Sequence, residues 1–300
     1  MDGMRFLILW GCYCSVRVYP ADYPPDSRTN VPDPSQFRMH DFQEEYITTP
    51  DGVKLHMYVI YARKSSARFD IRSFSSTNIS DYTLLYFHGN GGNMGHRLPV
   101  AAQFLESLKC NIVMLSYRGY GKSEGKPDET GLKTDSYCAL DFIKQHPLLK
   151  STRVVLYGQS LGGAVAVHLA SKRSPDIAGL IIENTFLSLP KLIPHLMPML
   201  RYLSFLCHQV WDSESDIQLV DPTVPMLFLS GSRDQLIPQS HLRQLYVTAA
   251  RSMQSKDRRL AVVQWSEFPN GAHDDTCIQS GYFEAIQEFW CQHIVEPAAL

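Results

Sequence analysis

The feature that most constrains the fold is an apolar run that ends in Gly-x-Ser-x-Gly and passes directly into a helical pattern. The apolar run covers residues 154–157, the motif covers residues 158–162, and the helical pattern covers residues 164–170. We predict a strand, a sharp turn and a helix, with Ser160 at the apex. A serine at such an apex needs a strained backbone, and glycines two positions away on either side allow strand and helix to approach closely. The pattern favours a nucleophile elbow over the alternative, a glycine-rich turn whose serine only caps the helix.

The length and composition predict one large domain. The chain has 300 residues, of which 44% are hydrophobic, and no Pro/Gly/Ser-rich linker or charge block divides it. We expect a catalytic domain over residues 38–296, preceded by an apolar segment and a proline-rich lead-in over residues 1–37. The net charge of −2 disfavours a nucleic-acid partner. Seven cysteines without a CxxC pair or a cysteine-histidine cluster indicate neither a metal site nor a cofactor.

The amino-terminal apolar segment leaves the location of the protein open. Residues 6–16 are apolar, but a helix that spans a bilayer needs about 20 residues. The segment could be the core of a signal peptide, an anchor assisted by acylation at Cys12 or Cys14, or a segment packed on the domain. Both a membrane-associated and a cytoplasmic location are compatible with it.

Strands alternate with helices along the rest of the chain. A Pro-Asp-Gly turn at residues 50–52 joins residues 44–47 to residues 55–60, which predicts an antiparallel hairpin. Helices are expected at about residues 96–108 and 128–145. Further apolar runs at strand length cover residues 84–87, 111–116, 154–157, 180–182, 226–229 and 261–265. This alternation predicts a doubly wound, mostly parallel sheet.

A serine nucleophile needs a base and a carboxylate that orients the base. In a parallel sheet the functional crevice lies beyond the carboxyl ends of the strands, so residues just after the later strands are the candidates. Asp234 follows the strand at 226–229, and His273 lies in a glycine loop after the strand at 261–265. We predict Ser160, Asp234 and His273 as a catalytic triad, with Glu183 as the main rival for the acid. Asp216 and Asp221 are further alternatives.

The segment His88-Gly89-Asn90-Gly91-Gly92-Asn93 predicts a corner whose amides can face an anion. No Gly-Lys-Ser/Thr follows it, which argues against a phosphate loop. We expect the main-chain N–H groups of Asn90 and Leu161 to form an oxyanion hole, and His88 to hold the corner together. In the loop at 117–125, Arg118 is expected to satisfy backbone carbonyls rather than bind substrate.

Residues 186–220 form an unusually long connection after the strand at 180–182. The connection is rich in apolar residues and is interrupted by Pro190, Pro194 and Pro198, which break any long helix. It resembles a cap over the crevice. The apolar side chains either line an acyl pocket, which would favour lipid-like substrates, or complete the core.

The motifs together resemble the α/β-hydrolase superfamily, from about residue 38 to residue 293. They are the Thr-Pro-Asp-Gly turn at 49–52, the corner at 88–93, Tyr-Arg-Gly-Tyr-Gly at 117–121, the elbow at 158–163 and Gly-Ala-His-Asp-Asp at 271–275. More closely, the chain is similar to the membrane-associated, BEM-like branch of serine esterases. The resemblance implies an eight-stranded fold, the triad named above and an amino-terminal anchor. The chain departs from that branch in its short apolar segment and in Asp274, where relatives usually carry asparagine.

These observations predict a cofactor-independent serine hydrolase that cleaves a carboxylic ester or an acyl thioester through an acyl-enzyme. The resemblance extends the expected substrates to small-molecule or lipid-like acyl groups and to acylated proteins, and it adds a membrane surface as a partner. Two alternatives stay open. One is an amide or peptide hydrolase with the same triad, and the other is a non-catalytic binding protein on a hydrolase fold.

Overall fold

The computed structural model describes residues 18–64, 78–257 and 262–295. The strands in this part of the chain are β1 Phe42–Thr48, β2 Lys54–Ile60, β3 Tyr82–Phe87, β4 Asn111–Leu115, β5 Arg153–Gln159, β6 Ile177–Glu183, β7 Met226–Gly231 and β8 Val263–Phe268. These eight described strands form one sheet in the order β1-β2-β4-β3-β5-β6-β7-β8. β1 and β2 form the predicted antiparallel hairpin, β2 pairs antiparallel with β4, and every later pairing is parallel.

Helices cover both faces of the sheet, as predicted. Their bounds in the described residues are α1 Leu98–Leu108, α2 Glu129–Gln145, α3 Leu161–Arg173, α4 Leu189–Leu196, α5 Ser213–Asp216, α6 Gln239–Asp257 and α7 Tyr282–His293. One core cluster packs α1 and α7 against the sheet, and a second packs α2, α3 and α6 against the other face. Successive residues of β3 alternate between the clusters, since Leu84 and Tyr86 belong to one and Leu85 and Phe87 to the other. Each buried strand is therefore apolar on both faces.

Strand β8 differs from its prediction. The apolar run predicted a strand at 261–265; residue 261 lies outside the described residues, and β8 covers Val263–Phe268. β8 is one of the two edge strands of the described sheet, and five of its six residues are only half-buried or exposed. An edge strand needs no continuous apolar run, so hydrophobicity alone misplaced its end.

The described part of the proline-rich lead-in packs against the elements that surround the sheet. Tyr19 is 3% exposed. Its hydroxyl accepts a 2.9 Å hydrogen bond from the Trp211 indole and donates at 2.7 Å to Gln209. Asn93, in the corner after β3, donates to the carbonyl of Ser27 at 2.8 Å. The lead-in thereby bridges residues 186–220 and the glycine-rich corner.

Arg118 has a structural role, but its partners are not the expected backbone carbonyls. Its guanidinium pairs with Asp51 at 2.7 Å and with Asp135 at 2.8 Å. The Asp135 side chain is fully buried and also accepts from the Arg118 main-chain N–H at 2.8 Å. Arg118 thus ties the β1–β2 turn to helix α2.

The apolar segment at residues 6–16 lies outside the described residues, so the predictions for it stay untested. Within the described ranges, no helix combines the length and the apolar character that a bilayer span requires.

Candidate active site

Ser160 stands between β5 and α3 in a backbone conformation that few side chains adopt. Its φ is 56° and its ψ is −118°. A Cβ on Gly158 would lie 2.1 Å from the carbonyl oxygen of Gly162, and a Cβ on Gly162 would lie 2.0 Å from that of Phe87. Because such contacts are impossible, both positions require glycine. The geometry is the predicted sharp turn between strand and helix.

The structure brings Ser160, His273 and Asp234 together in one hydrogen-bonded chain. The Nε2 of His273 lies 3.0 Å from the Oγ of Ser160. The Nδ1 of the same ring lies 2.7 Å from the Oδ2 of Asp234. Asp234 follows β7 and His273 follows β8, so the carboxyl ends of three parallel strands supply the three groups.

Asp234 is held so that one carboxylate oxygen faces the imidazole. Its other oxygen, Oδ1, accepts the main-chain N–H groups of Leu236 and Ile237, each at 2.8 Å. The Asp234 side chain is only 1% exposed. Two fixed amides and the ring nitrogen leave this carboxylate little freedom to rotate.

The pKa of His273 results from opposing influences. Burial favours the neutral ring and lowers the pKa, whereas the hydrogen bond to Asp234 and the charges of Asp234, Asp274 and Glu183 raise it. The net effect raises the pKa of His273 above its ordinary value. The imidazole is therefore a stronger base than a free histidine.

None of the rival acids forms a hydrogen bond with His273. Glu183 is buried, and its Oε2 accepts the hydroxyls of Tyr157 and Tyr282. Asp216 pairs with His168 at 2.7 Å, and Asp221 accepts from the main chain of Thr223 at 2.9 Å. Among the four candidate carboxylates, Asp234 is the one placed to orient the ring.

Two amide side chains that sequence reasoning missed hold the histidine loop. Gln159 donates to the carbonyl of His273 at 3.0 Å, and Asn184 donates to the same oxygen at 3.4 Å. Asn184 also donates to Thr276 at 2.9 Å and accepts from the N–H of Gly231 at 2.8 Å. Asn184 thus joins the end of β7 to the loop after β8. Its place directly after β6 was the available signal.

The glycine-rich corner lies beside Ser160. A Cβ on Gly89 would meet the Ser160 Cβ at 3.6 Å. The Asn90 side chain donates to the carbonyl of Val18 at 2.7 Å and accepts from Tyr120 at 2.6 Å, which fixes the backbone at this point. The N–H of Leu161 is the first of helix α3, where amides have no intrahelical acceptor. Both predicted oxyanion-hole residues line the same pocket as Ser160.

His88 stabilises the glycine-rich corner. Its side chain is fully buried, and its Nδ1 lies 2.8 Å from the carbonyl oxygen of Gly89. Its own carbonyl accepts the Tyr117 hydroxyl at 2.9 Å. Burial lowers the pKa of His88 to about 3, which keeps the ring neutral. The structure thus places His88 in a supporting position.

The pocket above Ser160 is largely apolar, and the connection at 186–220 supplies part of its wall. Val18 and Pro20 of the lead-in contribute as well, although the sequence did not indicate a role for them. The pocket-lining side chains from the connection are Phe186, Leu189, Leu192 and Leu196. Other members of this connection, such as Trp211 and Ile217, belong to the core. Some apolar side chains of the connection therefore line the pocket, and others complete the core.

The structure sets Asp274 and Met199 apart from the pocket interior. Asp274 is exposed at the edge of the pocket. Met199, an apolar residue of the connection at 186–220, is 93% exposed and does not line the pocket. In the part of the chain that the structure describes, no three histidine, cysteine, aspartate or glutamate side chains come together as metal ligands would.

Comparison with known proteins identifies the family. A family model described as the alpha/beta hydrolase fold matches residues 82–205. Protein bem46 of Schizosaccharomyces pombe is 38% identical over 288 residues, which cover 96% of this chain and 89% of bem46. The uncharacterized membrane protein YNL320W of Saccharomyces cerevisiae is 36% identical, over 91% of this chain and 87% of that protein.

A solved structure agrees with the fold. The Pyrococcus furiosus esterase Pf2001 matches with a TM-score of 0.66 and 19% sequence identity, over 88% of this chain and 96% of the esterase. At this identity the match supports the architecture alone. The identity to bem46 over nearly the whole chain extends the relationship to the sequence. The chain belongs to the α/β-hydrolase family, as a relative of Bem46.

Proposed function

We propose that this protein is a serine hydrolase that cleaves a carboxylic ester or an acyl thioester. The observation that carries the proposal is the hydrogen-bonded chain from Ser160 through His273 to Asp234. In the first step the Nε2 of His273 takes the proton of Ser160 while the Oγ attacks the acyl carbon. The protonated ring then gives that proton to the leaving alcohol or thiol, and an acyl-enzyme remains. Water activated by His273 releases the acid and restores the serine.

The oxyanion that forms in each step needs donors near Ser160. The N–H groups of Asn90 and Leu161 are our candidates, because both residues line the pocket and Leu161 begins a helix. Loss of one such donor typically costs about 3 kcal/mol of transition-state stabilisation. Every substitution except proline leaves the main-chain N–H in place, and proline would also restrict the backbone on which the donor is placed. The test of this role is therefore structural: a covalent phosphonate on Ser160 should place its oxygen within hydrogen-bond distance of both amides.

The apolar wall of the pocket supports a lipid-like acyl group. Phe186, Leu189, Leu192 and Leu196 present carbon surface where an acyl chain would lie. Each methylene that leaves water contributes about 0.8 kcal/mol. Esters of medium or long acids should therefore be better substrates than acetate esters.

Exposed apolar and aromatic side chains on the outside of the same connection favour a membrane as a binding partner. Met199, Tyr202 and Phe205 are 93%, 72% and 76% exposed. Exposed aromatic side chains beside Arg201 are typical of the membrane interface. Co-sedimentation with anionic vesicles tests this: Phe205→Glu should weaken binding, and equal binding by both proteins would exclude this surface.

The decisive experiment is covalent labelling with a fluorophosphonate probe. The unmodified protein and a Ser255→Ala control on the exposed surface of α6 should be labelled and should hydrolyse nitrophenyl esters. Ser160→Ala should do neither while keeping its circular dichroism spectrum. Turnover by a folded Ser160→Ala protein would refute the mechanism. Labelling without ester turnover, but with turnover of acyl amides, would favour the amide hydrolase, and absence of both would favour a binding protein.

A further inference from the structure

Arg97 brings a cationic side chain to the wall of the pocket. It ends the short 3-10 turn Met94–Arg97, which follows the glycine-rich corner, and it lines the same pocket as Ser160 and His273. Its Nε is buried and has no hydrogen-bond partner among the described residues. Likewise, no described carboxylate lies within ion-pair distance of its guanidinium. A donor in this state is costly unless something binds it.

Two candidate acids, Glu183 and Asp274, do not account for Arg97. The charge of Arg97 lowers the pKa of Glu183, but the Glu183 Oε2 accepts two tyrosine hydroxyls, and its Oε1 has no hydrogen-bond partner among the described residues. Burial raises the pKa of Glu183, which favours its neutral form. Asp274 lines the pocket but is exposed to solvent at the edge. Neither carboxylate forms an ion pair with Arg97.

A planar guanidinium in a largely apolar pocket is suited to one kind of ligand. Its fork of N–H donors matches the two oxygens of a carboxylate or a phosphate. We propose that Arg97 binds a carboxylate or phosphate group carried by the substrate, so that the site selects anionic esters. This inference rests on the proposed ester hydrolysis at Ser160.

The division of the pocket wall indicates where the substrate carries its charge. The apolar residues Phe186, Leu189, Leu192 and Leu196 come from the connection after β6, whereas Arg97 comes from the segment after β3. If the acyl chain of the substrate lies against the four apolar residues, its leaving group would lie toward Arg97. A short acyl group could alternatively carry the charge at its own end. Two matched substrate pairs separate these cases.

The experiment measures kcat/KM for each pair with the unmodified protein, Arg97→Gln, Arg97→Lys and the control Arg251→Gln. The first pair is monooctanoylglycerol and its phosphate ester, which places the charge on the leaving group. The second is nitrophenyl pentanoate and the mono-nitrophenyl ester of glutarate, which places a carboxylate on the acyl group. Arg251 has the same charge and is exposed on α6.

We expect the unmodified protein to prefer the charged member of at least one pair. Arg97→Gln should lower kcat/KM for that member by about 10- to 100-fold and for its neutral partner by less than about threefold. Arg97→Lys should restore part of the loss, and Arg251→Gln should change neither. Equal losses on both members, or a preference for the neutral member in both pairs, would overturn the proposal. Failure of the proposed function would be distinct, since the neutral esters would then show no turnover that depends on Ser160.

Discussion

Replacing Asp234 by asparagine tests the orientation of the base, because the replacement preserves shape and removes only the carboxylate. Oδ1 of Asp234 accepts two main-chain N–H groups, from Leu236 and Ile237, in a partly buried position. These donors would each cost about 1–3 kcal/mol if left unpaired, so the carbonyl oxygen of an asparagine should stay with them. The NH₂ group of the asparagine must then face His273.

That arrangement forces the wrong tautomer on the ring. Facing an NH₂ donor, the Nδ1 of His273 becomes an acceptor, and the ring proton moves to Nε2, 3.0 Å from the Oγ of Ser160. A ring that carries a proton at Nε2 cannot take another from the serine. We expect kcat to fall by about ten-thousand-fold, as the same change does in a serine protease, which corresponds to about 5.5 kcal/mol.

The matched control is Glu183→Gln. Glu183 hydrogen-bonds to Tyr157 and Tyr282 and not to His273, and the carbonyl oxygen of a glutamine can accept the same tyrosine hydroxyls. Its loss of kcat should stay within about tenfold. Both proteins are assayed on a short nitrophenyl ester, with thermal unfolding as the check on folding. A loss below about tenfold for Asp234→Asn, or a larger loss for Glu183→Gln, would refute the assignment of the acid.

Three further predictions follow from the same structure. General-base catalysis needs a neutral ring, and the pKa of His273 is raised above 6.5. We therefore expect kcat/KM to be full at high pH and to decline as the pH falls through a midpoint above about 6.5. A midpoint below about 6 would contradict the raised pKa. Leu196→Glu should lower kcat/KM for an octanoyl ester at least about tenfold more than for an acetyl ester. Met199→Glu should change kcat/KM for neither ester, because of these two residues only Leu196 lines the pocket. Equal losses on both esters for Leu196→Glu would show that the connection at 186–220 has a structural role instead. Asp135→Asn leaves the nearly buried Arg118 without its buried partner, so urea unfolding should show a loss of about 3 kcal/mol or more; a loss below about 1 kcal/mol would show that the pair contributes little.

The sequence sufficed where local chemistry determines the structure. The elbow at Ser160 depends on glycines two positions away, and the clashes that these glycines avoid are with neighbouring backbone. Asp234 and His273 were found because parallel strands end at one edge, so the position after a strand is also a position in space. The choice of Asp234 over Glu183 agrees with the geometry, since Asp234 hydrogen-bonds to His273 whereas Glu183 hydrogen-bonds to two tyrosines. Its catalytic role stays a prediction until the substitutions are made.

The sequence did not suffice where partners are distant along the chain. Asn184 contacts the histidine loop about ninety residues later, and an asparagine after a strand does not reveal this. Arg118 was expected to bind carbonyls, yet it binds carboxylates from a turn and a helix on either side of it in sequence. The contribution of Val18 and Pro20 to the pocket likewise depends on how the lead-in folds back. Such contacts follow from tertiary packing, which no local pattern encodes.

The backbone conformation of Ser160 lowers the stability of the folded protein. A non-glycine residue at a φ of 56° stores about 1–3 kcal/mol of conformational strain, a sizeable share of the 5–15 kcal/mol that typically keeps a protein folded. Glycine would release that strain, so Ser160→Gly should raise the melting temperature of the protein, whereas Ser160→Ala, which keeps a Cβ, should leave it nearly unchanged. Thermal stability and turnover would then oppose each other within one side chain, since the Cβ of Ser160 carries the strain and its Oγ carries out the proposed chemistry.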